Sequence, residues 1–313
     1  MAINNLRLSI PSFAKINWTL EILGRRPDGY HELRTLLQTI DLADRLVYTR
    51  LEQDIEVICD NADVPSDETN LAYRAAVSLR DFTGIKNGVR LNIEKRIPVA
   101  GGLGGGSSNA AVTLLVLQRL WNVELKLSDL LRLGSKLGSD VPFFFSGGTC
   151  LAVGRGNEVY PLADIDAEFL LLVNPGIRVE TAGVYANLAP ELTNQSPADK
   201  MPLSLETAQA SLFTESGRSA AIWAWLHNDL EVPVLARHPL LGEIKERLKQ
   251  SGARGILMSG SGSTIFAIFE SEKGRQCAFD DLRGTGWWCT PARTLSRKEC
   301  QEAYRRGRMK DEG

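Results

Sequence analysis

The chain has 313 residues, of which 43% are hydrophobic and 24% charged, and its formal net charge is −2. This composition is typical of a globular protein long enough for two domains. The balanced charge, without a basic block, argues against a nucleic-acid partner. No apolar stretch approaches the length of a membrane span, so a membrane protein is also disfavoured.

The five cysteines, at positions 59, 150, 277, 289 and 300, are widely spaced and include no C-x-x-C pair. Their odd number and spacing argue against a disulfide framework and a zinc site, and favour a reducing compartment. The first residues lack the charged start and apolar run of a secretory signal. We therefore expect a cytoplasmic protein, or a stromal protein of plastids if a transit peptide has been removed.

The first predicted element is a strand from Phe13 to Ile22. Apolar residues at the even positions from 14 to 22 alternate with polar residues at the odd positions from 15 to 21, which places Lys15 and Asn17 on the same face. A lone lysine on a strand is usually exposed to solvent. The alternation alone therefore assigns Lys15 no chemical role.

A turn follows at Pro27-Asp-Gly29, because proline presets φ and glycine accepts positive φ. This turn presents Tyr30 and His31 side by side. Such a pair, taken alone, is more often a packed aromatic ring and a surface histidine than a binding site. Residues 33–40 and 45–59 are predicted to form two further strands.

The next predicted elements are a helix that follows the acidic residues 67–69 and ends at Gly84, and a strand around Val89, Leu91 and Ile93. The helix begins near Asn70, which is a preferred N-cap residue. Capping is thus one role for Asn70.

A glycine-rich stretch, Pro98 to Ala111, lies between that strand and an apolar helix at 110–120. Its five glycines allow the backbone N–H groups to approach a ligand, and Ser107, Ser108 and Asn109 are N-cap residue types. A helix N-terminus attracts phosphate, so the stretch favours phosphate binding over a plain turn. It lacks the lysine of a P-loop and the third glycine of a dinucleotide fingerprint.

A short helix at 128–137 ends at Gly138 and is followed by Ser139-Asp-Val-Pro142 and an apolar run. A carboxylate that enters an apolar region needs a charged or hydrogen-bonding partner. Capping the Val-Pro-Phe turn is one role for Asp140. The charged, loop-like stretch at 154–166 then marks the predicted domain boundary.

The second half opens with a strand at 169–173 and a turn at Asn174-Pro-Gly176. It continues with a polar loop at 192–201 and helices near 204–213, 219–226 and 239–250. A second glycine cluster, Gly255 to Thr264, leads into an alternating strand at 265–269 and by itself predicts a tight hairpin. A helix, a strand and a helix extend to about Ala303, and the tail from Gly307 is expected to be disordered.

The motif Pro98-x-x-Gly-Gly-Leu-Gly-Gly-Gly-Ser-Ser-Asn109 resembles the phosphate loop of the galactokinase, homoserine kinase, mevalonate kinase and phosphomevalonate kinase superfamily, the GHMP kinases. It is most similar to the branch whose acceptor is a cytidylyl derivative of methylerythritol. The resemblance covers essentially the whole chain. It extends to Pro11-Ser-x-Ala-Lys-Ile-Asn17, Asp-Gly-Tyr-His31 and Gly-Ser-Asp-Val-Pro142, and it departs at Ala100, where the family has glycine.

The resemblance implies an α+β, two-domain GHMP kinase fold. Residues 1–163 would form a mixed-sheet, nucleotide-binding N-terminal domain. Residues 164–313 would form a smaller, ferredoxin-like α+β C-terminal domain. The Gly255 to Thr264 cluster would be the third motif of the superfamily, which closes over the phosphates from the C-terminal domain.

The implied activity is the ATP-dependent phosphorylation of the 2-hydroxyl of 4-diphosphocytidyl-2-C-methyl-D-erythritol, on the non-mevalonate route to isoprenoid precursors. Lys15 and Asp140 would be catalytic, with Asp140 acting either as a general base or as an electrostatic anchor. Mg²⁺ would accompany the ATP phosphates, with weak contacts from Ser107 or Ser108.

The resemblance also implies the residues that bind each ligand. ATP would be bound by Pro98, Val99, Ala100, Gly101, Gly102, Leu103, Gly104, Gly105, Gly106, Ser107, Ser108 and Asn109, with Asn70 and Leu71 bordering the adenine. The acceptor would be bound by Asn17, Tyr30, His31, Asp140, Thr181, Tyr185, Gly260, Ser261 and Gly262. Tyr30 and Tyr185 could sandwich the cytosine, and His31 would hydrogen-bond it.

Two alternatives remain open from the sequence. Another GHMP kinase, for homoserine or a mevalonate derivative, would leave Tyr30 and His31 without an obvious task. A catalytically silent, nucleotide-binding regulator would not need Lys15 and Asp140. The expected partner is a small-molecule substrate, without nucleic acid or membrane, and the expected state is a monomer or weak homodimer.

Overall fold

The computed structural model describes residues 7–165, 168–186, 188, 222–306 and 308–310. Two β-sheets, each with helices packed on it, make up this part of the chain. None of its helices is long and apolar enough to cross a membrane. The predicted loop at 192–201, the predicted helix at 204–213 and the start of the one at 219–226 lie outside the described residues.

The larger sheet is built on two long antiparallel strands, β1 (Arg7–Arg25) and β2 (His31–Leu51). Its other strands are β3 (Ile55–Cys59), β4 (Gly88–Glu94), β5 (Thr149–Gly154), β6 (Glu158–Pro161), β8 (His227–Asn228) and β12 (Arg308–Lys310). The main order is β12-β1-β2-β4-β3, with β5 on β2, β6 on β5 and β8 on β1. Because β3 pairs with β4 in parallel and β1 with β2 antiparallel, the sheet is mixed, as predicted.

Helices α1 (Leu71–Thr83), α2 (Gly105–Leu120), α3 (Leu127–Leu137) and α4 (Phe143–Ser146) belong to this half. Their apolar side chains share one core cluster with those of β2 and β4. The Asn70 side chain caps α1 by accepting a hydrogen bond from the Ala72 amide, and Gly84 ends it at φ 72°. The capping role weighed for Asn70 is therefore confirmed.

The smaller sheet contains β7 (Phe169–Asn174), β9 (Gly255–Met258), β10 (Ile265–Phe269) and β11 (Trp288–Arg293), all antiparallel in the order β11-β7-β10-β9. The helices of this half are α5 (Thr181–Ala186), α6 (Glu231–Arg237), α7 (Pro239–Gln250), α8 (Glu272–Asp281) and α9 (Arg297–Arg305). Numbered along the chain, the four strands lie in the order 4-1-3-2 of a ferredoxin-like sheet. The predicted α+β fold is confirmed.

The two sheets pack against each other through the apolar face of β1. Its even-numbered residues from 14 to 22 are all buried, as the alternation predicts. Trp18 meets Phe266 of the smaller sheet edge to face, with ring centroids 5.5 Å apart. The opposite face of β1, which carries Lys15 and Asn17, is thereby turned away from this core.

Two predicted boundaries differ in the structure. Residues 45–59 are not one strand, because β2 ends at Leu51 and β3 lies on the far side of β4. The connection crosses the end of β4 at Gly88, where a Cβ would lie 2.4 Å from the Asp54 carbonyl oxygen. The alternation of side chains does not reveal such a crossing. The stretch at 154–166 includes β6, which pairs with β5 and is therefore not all loop.

The expectation of a disordered tail is wrong for residues 308–310, which form β12 along the edge of β1. Such pairing is a long-range contact that local composition does not encode. The division into domains at 163/164 stays a prediction, and the larger sheet also takes β8 and β12 from beyond that position.

A buried carboxylate, Asp44 on β2, joins the larger sheet to the segment that leads into residues 98–106, here called the glycine loop. It is 1% exposed and accepts hydrogen bonds from Lys95 Nζ at 2.6 Å and from the amides of Arg96 and Ile97. It also accepts one from Asn109 Nδ2 on α2, at 3.2 Å. One side chain thus holds the residues before and after the glycine loop.

We expect Asp44→Asn to lower the free energy of unfolding by about 3–5 kcal/mol, because it leaves the Lys95 ammonium buried without its charged partner. Urea denaturation followed by circular dichroism measures this change. Glu94→Gln is the control, since it breaks an exposed ion pair with Arg45 and should cost below about 1 kcal/mol. Equal losses in the two variants would contradict the structural role of Asp44.

Candidate active site

The glycine loop turns into α2 earlier than the sequence suggests. Gly104, at φ 70°, is the N-cap, and the helix begins at Gly105. Ser107, Ser108 and Asn109, expected as capping residues, therefore lie within the first turns. The Ser108 amide donates to the Gly104 carbonyl at 2.8 Å. The amides of residues 105–107 come before this first intrahelical hydrogen bond, so they lie at the positive end of the helix dipole.

Close packing requires glycine at two positions of the loop. A Cβ on Gly102 would lie 2.1 Å from the Ser259 carbonyl oxygen, and one on Gly104 would lie 3.0 Å from Lys15 Cγ. Both residues also have positive φ, of 76° and 70°. Ala100, the departure from the family motif, adopts φ 55° and lines the cavity described below.

The carbonyl groups of residues 101–103 are bound by the body of the protein. Thr264 N donates to Gly101 O at 3.2 Å, Ser259 Oγ to Gly102 O at 3.0 Å, and Lys15 N to Leu103 O at 3.0 Å. The second glycine cluster is thus both a hairpin loop, between β9 and β10, and a direct neighbour of the glycine loop.

Lys15 is buried, not exposed as a lone strand lysine would be. It is 4% exposed, and its Nζ donates to Asn17 Oδ1 at 2.8 Å. Asn17 Nδ2 in turn donates to Thr35 Oγ1 at 2.8 Å, which fixes the amide. Lys15 Nζ also lies 3.5 Å from Asp140 Oδ2, so two residues 125 positions apart form an ion pair.

Asp140 remains open to the cavity. Its side chain is 35% exposed, whereas that of Lys15 is 5% exposed. The amides of Val141, Phe144 and Phe145 donate to backbone carbonyls, and α4 has no side-chain cap. The capping role weighed for Asp140 is therefore wrong, and its carboxylate faces Lys15 instead.

These groups surround one cavity of about 960 Å³. The predicted site residues that line it are Lys15, Asn17, Tyr30, His31, Ala100, Gly102, Gly104, Ser107, Asp140, Thr181, Tyr185, Gly260 and Ser261. The predicted ones outside its lining are Asn70, Leu71, Pro98, Val99, Gly101, Leu103, Gly105, Gly106, Ser108, Asn109 and Gly262. Lys15 and Asp140, the glycine loop and the aromatic cluster of Tyr30, His31 and Tyr185 thus face a common space.

Of the two serines predicted near a metal, only Ser107 lines the cavity. The Ser108 hydroxyl is buried and accepts a hydrogen bond from Ser12 Oγ at 2.8 Å. Throughout the described ranges, no group of three or more His, Cys, Asp or Glu side chains could hold a metal. The Ser107 hydroxyl and the Asp140 carboxylate lie within the same cavity, and oxygen atoms of these kinds are the ligands that Mg²⁺ prefers.

Both polar atoms of the Asn70 side chain form local hydrogen bonds: Nδ2 donates to Pro65 O at 2.7 Å, and Oδ1 caps α1. Leu71 lies next to the glycine loop, 3.6 Å from the position of a Cβ on Gly106. Their predicted contact with adenine stays a prediction.

At the other end of the cavity, His31 stacks on Tyr185 with ring centroids 5.2 Å apart and planes inclined by 29°. Tyr30 is 56% exposed, and the Arg155 guanidinium lies 4.7 Å from its ring centre. The ring that stacks on Tyr185 is thus that of His31. The predicted sandwich of a cytosine between Tyr30 and Tyr185 stays a prediction.

Sequence reasoning missed several residues that line the cavity, among them Arg25, Thr35 and Arg155. Arg155 lies in the stretch interpreted as a domain boundary, and Thr35 faces Asn17 only because of the register between β1 and β2. Arg25 follows the predicted end of the first strand. A charged residue beside a motif is a weak signal, and none of the three belongs to a recognisable pattern.

Burial shifts the pKa values of two rings in the aromatic cluster, those of His31 and Tyr185. It lowers the pKa of His31, and the positive charge of Arg25 lowers it further. Burial raises the pKa of Tyr185, and the negative charge of Asp140 adds to this. Both rings are therefore uncharged near pH 7, which suits a neutral, planar ligand.

Models of two domain families match this chain. The GHMP kinases N terminal domain matches residues 70–148, and the GHMP kinases C terminal domain matches residues 202–284. A 4-diphosphocytidyl-2-C-methyl-D-erythritol kinase of Geobacillus kaustophilus is 43% identical over 281 residues, which are 89% of this chain and 94% of the relative. The chain belongs to the 4-diphosphocytidyl-2-C-methyl-D-erythritol kinase family.

Other comparisons with this kinase family agree. The relative from Geobacter sulfurreducens is 40% identical over 290 residues, covering 92% of this chain and 99% of its own. A crystal structure of 4-(cytidine 5'-diphospho)-2C-methyl-D-erythritol kinase is 37% identical with a TM-score of 0.74, covering 91% of this chain and 98% of that one. The similarity therefore spans both sheets and the cavity between them.

We expect His31 to titrate below the usual histidine pKa of about 6.5, and Arg25→Gln to raise its pKa because a neighbouring positive charge is lost. An NMR titration of the imidazole resonances measures both values, and the chain contains only three histidines. His238 serves as the internal control. A His31 pKa that does not change in Arg25→Gln would show that this arginine does not act on it.

Proposed function

We propose that this chain transfers the γ-phosphoryl group of ATP to the 2-hydroxyl of 4-diphosphocytidyl-2-C-methyl-D-erythritol, giving the 2-phosphate and ADP. The observation that carries the proposal is the Lys15 and Asp140 pair, 3.5 Å apart, in the cavity that also holds the start of α2. The names of the relatives that span both halves of the chain support the acceptor. The product would enter the non-mevalonate route to isoprenoid precursors.

The donor phosphates would lie at the N-terminus of α2. The carbonyls of residues 101–103 are hydrogen-bonded to the body of the protein, while the amides at 105–107 lie at the start of the helix. These amides and the helix dipole would bind the β- and γ-phosphates. Bound Mg²⁺ would neutralise phosphate charge, and Ser107 and Asp140 are the residues in the cavity that would hold it.

The acceptor hydroxyl would be oriented by Asp140, whose carboxylate is the accessible member of the pair. A carboxylate that accepts a hydrogen bond from an alcohol aligns its oxygen for attack and can take the proton. Lys15 would balance the negative charge of Asp140 and of the transferring group. The hydrogen bonds from Lys15 to Asn17 and from Asn17 to Thr35 hold the ammonium group in place.

The cytosine would be bound at the cluster of Tyr30, His31 and Tyr185. Two phenol rings and an uncharged imidazole provide flat apolar surfaces and hydrogen-bonding groups, which suit a neutral pyrimidine. A homoserine or mevalonate acceptor has no ring to occupy this cluster. A regulator without activity would have no use for the buried lysine beside Asp140. The cluster therefore favours an acceptor that carries a nucleobase.

We expect ADP release from ATP and Mg²⁺ only when the acceptor is 4-diphosphocytidyl-2-C-methyl-D-erythritol. A coupled assay with purified protein measures it for that compound, homoserine and mevalonate at equal concentrations. Protein without acceptor is the control for background ATP hydrolysis. Equal turnover of the acceptors that lack a base would contradict the proposed substrate.

We expect Asp140→Asn to lower kcat by at least about a hundredfold, because the amide cannot accept the proton or balance Lys15. The KM for ATP should change less than kcat, since the amides of α2 and the Ser107 hydroxyl would still hold the phosphates and their Mg²⁺. Steady-state kinetics measure both constants. Asp129→Asn, which neutralises a half-buried carboxylate on α3 that does not line the cavity, is the matched control and should leave kcat unchanged. A kcat for Asp140→Asn near that of the control would remove Asp140 from the mechanism.

A further inference from the structure

Asn228 belongs to a short segment that is tied to the larger sheet although it lies in the second half of the chain. Its strand, β8, pairs in parallel with β1, with Asn228 opposite Leu20. The next residue strengthens this attachment. Asp229 N donates to Leu20 O at 3.0 Å, and Asp229 Oδ2 accepts a hydrogen bond from Ile22 N at 2.6 Å. The backbone at 228–229 is therefore fixed relative to β1.

The side chain of Asn228 reaches in the other direction, to the smaller sheet. Its Nδ2 donates to the carbonyls of Met258 and Gly260, each at 2.8 Å. Its Oδ1 accepts a hydrogen bond from Leu230 N at 2.9 Å, so both polar atoms of the amide are used. Asn228 is 5% exposed. A buried amide with this hydrogen bonding holds a single orientation.

The loop that Asn228 holds lies directly beside the catalytic lysine. A Cβ on Gly260 would lie 3.3 Å from Lys15 Nζ and 3.5 Å from Asn17 Oδ1. The neighbouring Ser261 is hydrogen-bonded to Thr181, with their hydroxyl oxygens 2.8 Å apart. Gly260 and Ser261 both line the cavity. A shift of this loop would therefore change the space between Lys15 and the acceptor.

We propose that Asn228 is a positioning residue, which sets the distance between the 259–262 loop on the smaller sheet and Lys15 on β1. The chemistry requires an amide, because one nitrogen must donate to two carbonyl groups while the oxygen accepts from a backbone amide. A carboxylate at this position has no N–H to donate and would repel both carbonyls. The inference rests on the proposed function for the identity of the acceptor that the loop contacts.

Two variants test this role. Asn228→Asp keeps the shape of the side chain and loses the two donors, and Asn228→Ala removes the amide without adding charge. We expect either variant to raise the KM for the acceptor or lower kcat by roughly tenfold or more, with a smaller change in the KM for ATP. Gln118→Glu and Gln118→Ala are the matched controls. Gln118 is an amide that braces the far end of α2, remote from the cavity.

The kinetic constants are expressed per folded molecule, with the folded fraction taken from urea titrations of each variant. Hydrogen exchange, measured by mass spectrometry, is the second readout. Exchange at residues 259–264 should become faster in the Asn228 variants and stay unchanged in the Gln118 variants. If Asn228→Asp does not fold, Asn228→Ala decides the question.

The two proposals fail in different ways. A wild-type protein that does not phosphorylate the acceptor overturns the proposed function, and hydrogen exchange alone then decides the role of Asn228. With an active wild type, either unchanged exchange at 259–264 or unchanged kinetic constants in the folded Asn228 variants overturns the positioning role.

Discussion

The carbonyl groups at 101–103 point into the protein because three donors bind them: the Thr264 amide, the Ser259 hydroxyl and the Lys15 amide. This constraint sets where α2 begins, and it leaves Gly104 and Ser107 on the lining of the cavity. It also couples the two halves of the chain. The backbone of Lys15 holds the glycine loop while its side chain reaches Asp140, so one residue of β1 contacts both the loop and this carboxylate.

The placement of Lys15 follows from the two faces of β1. One face forms the buried apolar contact between the sheets, where Trp18 packs against Phe266. The other carries a buried ammonium group, which requires a partner because an isolated charge is costly to remove from water. Asp140 and Asn17 satisfy it. Because the lysine is more deeply buried than the aspartate, the carboxylate remains accessible from the cavity.

The sequence by itself determined much of the local structure and the kind of chemistry. The alternation at 13–22 predicted the buried face of β1, and the strand, glycines and apolar run around Gly104 predicted a loop that enters a helix. The motifs indicated a GHMP kinase fold, which the order of the smaller sheet and the family relationship confirm. These features depend on side-chain periodicity and on the backbone freedom of glycine, which neighbouring residues carry by themselves.

Only the tertiary structure decided which distant residues meet. The crossing at Gly88, the pairing of 308–310 with β1 and the approach of Arg155 to Tyr30 depend on contacts between segments far apart in the chain. Asn228 belongs to the same class, since nothing in its neighbourhood shows that its backbone pairs with one sheet while its side chain bonds the other. Periodicity reports which face of an element is apolar. Strand register and sheet packing then select its neighbours, and they arise only when the whole chain is folded.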